Sequence, residues 1–140
     1  MTLSYEAKLM SGVTLLAVPT IMYGGWTLLG ILTQGIAGSA PGTLTLNDTQ
    51  WALWRAGHAH AGVWVILSLV IQVLLDSARL SSVLRWFVRI AAPVAAVAVA
   101  AGFFGVAFIP AMRWVLYVGA LGLFASVVLT GVGLLRNLRS

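Results

Sequence analysis

The run AAPVAAVAVAAGFFG, residues 91–105, carries no charged or hydrogen-bonding side chain. With its flanks it forms an apolar segment over residues 84–109, longer than the roughly 20 residues a helix needs to cross a hydrocarbon core. Nearly every residue in it is small. In lipid, helices associate through close van der Waals packing, so such a segment is suited to the inside of a bundle. Pro93 has no N–H to give to the preceding turn, which predicts a kink.

Three further segments have the same character, over residues 9–33, 51–75 and 112–135. The composition agrees: of 140 residues, 61% are hydrophobic and 8% charged, with a mean hydropathy of +1.02. A soluble domain carries about a quarter charged residues. The expected fold is therefore an all-α membrane protein, a single four-transmembrane-helix bundle over residues 1–140. The first apolar segment is longer than a signal-peptide core and lacks a clear cleavage site, so a cleavable leader is not expected.

The connection GIAGSAPGTLTLNDTQ, residues 35–50, is the only long one, and its Gly, Ser, Thr and Pro content marks a loop. Asn47 and Asp48 at its end are the candidate N-caps of the second span. The other connections are short, which makes successive helices antiparallel neighbours.

Without Cys, disulfides and thiolate metal sites are excluded. The net charge of +5 reflects few acids, and no basic cluster suggests nucleic-acid binding. The basic residues instead report orientation. Lys8, Arg79, Arg85, Arg89, Arg136 and Arg139 fall on one side, Arg55 and Arg113 on the other. By the positive-inside rule both termini are cytoplasmic, in what is expected to be a bacterial cytoplasmic membrane.

Two spans carry further signals. In the fourth, Gly119, Gly122, Ser126 and Thr130 lie on one stripe, where small residues admit another backbone. That backbone belongs either to a neighbour in the bundle or to a second copy, and a homo-oligomer is expected. In the first, Pro19 followed by Gly24 and Gly25 predicts a kinked middle.

Both histidines lie in RAGHAHAGVWVIL, residues 55–67. Titratable groups are costly at this depth, so the cluster is a candidate site. Residues two apart on a helix diverge by about 200°, so His58 and His60 face nearly opposite ways and do not easily share one metal ion.

Haem makes different demands. It needs an axial ligand, an apolar slot, small residues beside the ring and a cation for the propionates. His60 has Gly57 one turn before it and Trp64 one turn after, and His58 has Arg55 before it and Gly62 after. Gly57 and Gly62 are expected to leave room for a porphyrin, and Arg55 to pair with a propionate. The blander readings are hydrogen bonding of each imidazole to a neighbouring helix and an interfacial belt for Trp51 and Trp54.

The loop residues Asn47 and Asp48, then Ala59, His60, Ala61, Val63 and the apolar run to Leu69, resemble the entry into helix two of haem-copper oxidase subunit I. The resemblance covers the first two spans. It implies that His60 occupies the position of an axial ligand to a low-spin haem, in the outer half of the membrane. Gapless alignment on Asn-Asp places His58 there instead. The family's other histidines have no counterpart here, and the chain has four spans where the family has twelve. What the resemblance implies is a reduced haem-binding unit, with no oxygen-reducing activity of its own.

The expected function is thus a small haem b protein for electron transfer or haem sensing. Its second axial ligand would come from Met22, Met112 or another copy, and its redox partner would be a protein or quinone. The alternatives are a small oligomeric transporter using Thr14, Thr20, Tyr23 and the histidines, outer-face copper binding by His58, His60 and Met112, and an assembly subunit.

Overall fold

Asn47 starts the helix that carries both histidines. Its side chain accepts from the Gln50 N–H at 2.9 Å, and the Gln50 side chain accepts from the Asn47 N–H at 3.0 Å. This reciprocal capping box fixes the helix start. The computed structural model describes residues 2–37 and 46–138, with side chains for 2–31 and 46–138. The loop tip around Pro41 and the terminal Arg139 lie outside the described residues.

Four helices are described: α1 (Tyr5–Ala37), α2 (Asp48–Leu74), α3 (Ser82–Val106) and α4 (Arg113–Asn137). Single 3₁₀ turns, Leu75–Ser77 and Pro110–Met112, follow α2 and precede α4, and no strand occurs among the described residues. All four helices are long and apolar enough to cross a membrane. Helix α1 is continuous through Pro19, and α3 through Pro93.

Local chemistry explains the ends. The Ser81 hydroxyl accepts from the Leu84 N–H at the start of α3. At its far end Pro110 forces Ile109 into extended backbone, which stops the helix and opens the next turn. The four helices run alternately up and down. Arg79 N donates to Gly133 O at 2.9 Å at the end that holds both termini, and Gln50 Nε2 donates to Ala107 O at 2.9 Å at the opposite end.

Helix α3 is the centre of the bundle. Its Val88, Ala92, Ala95, Ala96, Val99 and Ala100 are buried at helical spacing. The stripe on α4 packs against it: a Cβ on Gly119 would stand 2.9 Å from Val99 N, and one on Gly122 3.4 Å from Ala95 Cβ. Ser126 and Thr130 are buried along the same face and donate to the carbonyls one turn earlier. Of the two expected partners for this stripe, a neighbour in the bundle or a second copy, the structure supplies the neighbour, α3. The backbones of α3 and α4 come close enough to leave it no room for another helix.

Helix α1 is peripheral. Only 11% of its most apolar window is buried, against 44% for α3. Its side-chain polar links to the bundle lie at its start, where Ser4 N and Oγ donate to the two Asp76 carboxylate oxygens at 2.8 and 2.7 Å. Arg89 Nη2 pairs with the same carboxylate. Arg89, one of the basic residues counted for orientation, is 1% exposed and lies inside the bundle. A buried guanidinium persists only when its charge and donors are met. Asp76, Ser4 and Gln72 meet them.

Candidate functional site

The divergence of the two imidazoles follows from 3.6 residues per turn, and each meets a different space. His60 lines a groove of about 490 Å³ between α2, α3 and α4, with Trp64, Val99, Phe103, Leu116 and Leu123 among its walls. His58 lines a cleft of about 270 Å³ between α1, α2 and α3. The two rings do not converge.

His60 is held firmly. Its Nδ1 lies 2.7 Å from the carbonyl oxygen of Ala56, one turn earlier. A carbonyl only accepts, so this bond places the proton on Nδ1 and the lone pair on Nε2. Metal-bound histidines generally have the second ring nitrogen engaged in this way, which fixes ring orientation and raises ligand basicity. Phe103 packs beside the imidazole with centroids 4.7 Å apart, and Trp64 flanks it at 5.9 Å. The Trp64 Nε1–H is buried without an acceptor among the described residues.

His58 has no hydrogen bond to any described residue. Its ring edge lies in the hollow left by a missing side chain on α1, since a Cβ on Gly25 would stand 2.9 Å from both Cε1 and Nε2. This close approach gives Gly25 its role.

The remaining candidates separate. Gly57 is buried against α3, where a Cβ would lie 3.1 Å from Phe103 Cβ and 3.2 Å from the Phe104 ring. That contact fills the room expected for a porphyrin. Gly62 faces open space, and Arg55 is exposed outside the His60 groove. Trp54 packs edge-on against Phe104 and Phe108.

Neither methionine reaches His60. Met22 is 69% exposed on α1, and the Met112 side chain packs on Gly105 at the α3–α4 turn. The copper site suggested for His58, His60 and Met112 is therefore not assembled, because the histidines open on different faces of α2. Among the described residues no three His, Cys, Asp or Glu side chains gather into a metal-binding group.

Sequence reasoning missed the polar cluster formed by Ser4, Gln72, Asp76 and Arg89. Its one local signal is Pro93. Proline withholds the N–H that would bond to Arg89 O, and Gln72 Nε2 donates to that oxygen instead, at 2.9 Å. No family model matches the chain, and no curated protein or solved structure matches it.

Proposed function

We propose that the chain is an integral membrane protein, with both termini cytoplasmic, that binds haem b in the groove between α2, α3 and α4. His60 would hold it through Nε2. The observation that carries this reading is the Nδ1–H bond of His60 to Ala56 O beside an apolar groove of about 490 Å³. The volume lies within the range of cofactor sites, and the aromatic and aliphatic walls suit a porphyrin face.

The groove meets two of the demands of a haem, one ligand and apolar walls, and among the described residues no cation for the propionates lines it. Phe103 and Trp64 flank the imidazole, and aliphatic and aromatic side chains make up the rest of the lining. When bound, a haem supplies one-electron chemistry at its iron. Among the described residues His60 is the one strong ligand lining the groove, so any further ligand to the haem would have to come from a second copy or a partner protein.

The visible spectrum of the full chain, expressed with ample haem and purified in detergent, tests this. A Soret band is expected, lost in His60→Ala and retained in His58→Ala. A wild-type protein without that band, or a band unchanged in His60→Ala, overturns the assignment. The transporter reading receives less support. Among the described acids, Asp76 alone is drawn into the bundle, and it is tied to Arg89 and Ser4.

A further inference from the structure

The link between α2 and α3 gathers positive charge from three elements. Arg79 lies in that link, and its N–H donates to Gly133 O of α4 at 2.9 Å. Asn137 Nδ2 donates to Ser77 O at 3.0 Å, so the last turn of α4, which carries Arg136, is held beside the same link. From the first turn of α3, Arg85 Nη2 reaches Leu80 O at 3.4 Å. Arg79 and Arg136 are exposed, and Arg85 is half-buried.

No carboxylate answers this charge. Of the three acids in the chain, Asp48 opens α2 at the opposite end, Asp76 is tied to Arg89 and Ser4, and Glu6 lies on α1. Among the described residues Arg79, Arg85 and Arg136 form no ion pair, and Arg85 Nε is buried without an acceptor. Like charges at one turn repel, and an anion shared between them removes that cost. Guanidinium forks match the oxygens of a phosphate.

Position selects the kind of phosphate. The link joins two spans, and Arg136 stands one residue from the end of the last. The three cations therefore lie at the limit of the apolar length, whichever way the chain faces, and that is the level of phospholipid headgroups. Beside Arg136 a groove of about 370 Å³ runs along α4, lined by Val132, Leu135 and Leu138. The matching ligand carries a phosphate of net negative charge next to an apolar chain. The opposite end is less demanding, since Arg113 there stacks on Trp114 and Asp48 offsets part of the charge.

We infer that the α2–α3 link and the end of α4 form a binding site for an anionic phospholipid. Arg79, Arg85 and Arg136 hold its phosphate, and an acyl chain lies in the groove along Val132 and Leu135. The site shares no lining residue with the His60 groove, so it stands or falls independently of haem.

The test is native mass spectrometry of the full chain in a non-ionic detergent, titrated with phosphatidylglycerol or with phosphatidylcholine of the same acyl chains. Phosphatidylglycerol is expected to stay bound about tenfold better. Arg79→Gln combined with Arg136→Gln should lower its retention by about tenfold. Arg55→Gln combined with Arg113→Gln removes the same charge from the opposite end and should leave retention within about twofold. All four side chains are exposed, so neither double variant removes a buried contact. Glycerol phosphate, the headgroup chemistry without acyl chains, should not displace the lipid. Equal retention of the two lipids overturns the inference, as does retention unchanged in the Arg79–Arg136 variant. Equal losses in both double variants overturn it as well, since they would mark attraction to net charge alone. Displacement by glycerol phosphate would mark a site for free anions and overturn the lipid assignment.

Discussion

The amide of Gln72 donates to the main-chain carbonyl of Arg89, while the Arg89 guanidinium donates back to both the side-chain and main-chain oxygens of Gln72. Both residues are at most 1% exposed. The exchange compensates for Pro93, whose missing N–H leaves the Arg89 carbonyl without its helical donor. One side chain thus repairs a gap in α3 and satisfies part of a buried charge.

The first prediction follows from that double role. Gln72→Leu strands a carbonyl and two guanidinium contacts, at a cost of about 1–3 kcal/mol for an unsatisfied buried group. Pro93→Ala restores the helical bond to Arg89 O, so the double variant should lose less than Gln72→Leu alone. Thermal unfolding in detergent, analysed as a double-mutant cycle, measures the coupling. Strictly additive losses would break the link between Gln72 and Pro93.

The Asp76–Arg89 pair makes a second prediction. Asp76→Ala leaves a buried guanidinium without its counter-ion and should cost about 3–5 kcal/mol. Replacing both residues, Asp76→Leu with Arg89→Met, should recover most of that loss, because no uncompensated charge remains. Helix α1 should also loosen in Asp76→Ala, since Ser4 loses both acceptors. Faster amide exchange over residues 5–14 reports that release.

Gly57 and Gly62 are expected to respond in opposite ways. Gly57→Ala presses a methyl group onto Phe103 and Phe104 and should destabilise the α2–α3 contact by about 1–3 kcal/mol. Gly62→Ala projects into open space and should be neutral, or stabilising by up to about 1 kcal/mol through helix propensity. Unfolding midpoints compare the two directly.

Filling the His60 groove separates haem retention from folding. Ala120 is exposed and lines that groove, so Ala120→Phe should lower Soret absorbance severalfold while far-ultraviolet circular dichroism stays constant. Met112→Ala should leave the spectrum unchanged, because that side chain packs on Gly105.

Orientation is testable independently of any ligand. A Cys at position 39, in Ser39→Cys, should react with an impermeant maleimide in intact cells if both termini are cytoplasmic. Labelling only after permeabilisation would reverse the topology.

The sequence by itself determined the four apolar helices and the cap at Asn47, because span length and capping are read within one segment. It also determined that His58 and His60 part, since the angle between them is a property of one helix. The neighbours of each face were decided only by the tertiary structure. A stripe of small residues on α4 suits α3 and a second copy equally, and the close approach at Gly119 selects α3. Arg89 reads as a surface charge until the α2–α3 turn brings Gln72 and Asp76 to it. Met112 reads as a candidate ligand until the α3–α4 turn seats it on Gly105. Helical periodicity fixes which residues share a face, whereas helix crossing fixes what that face meets, and small apolar residues permit several crossings.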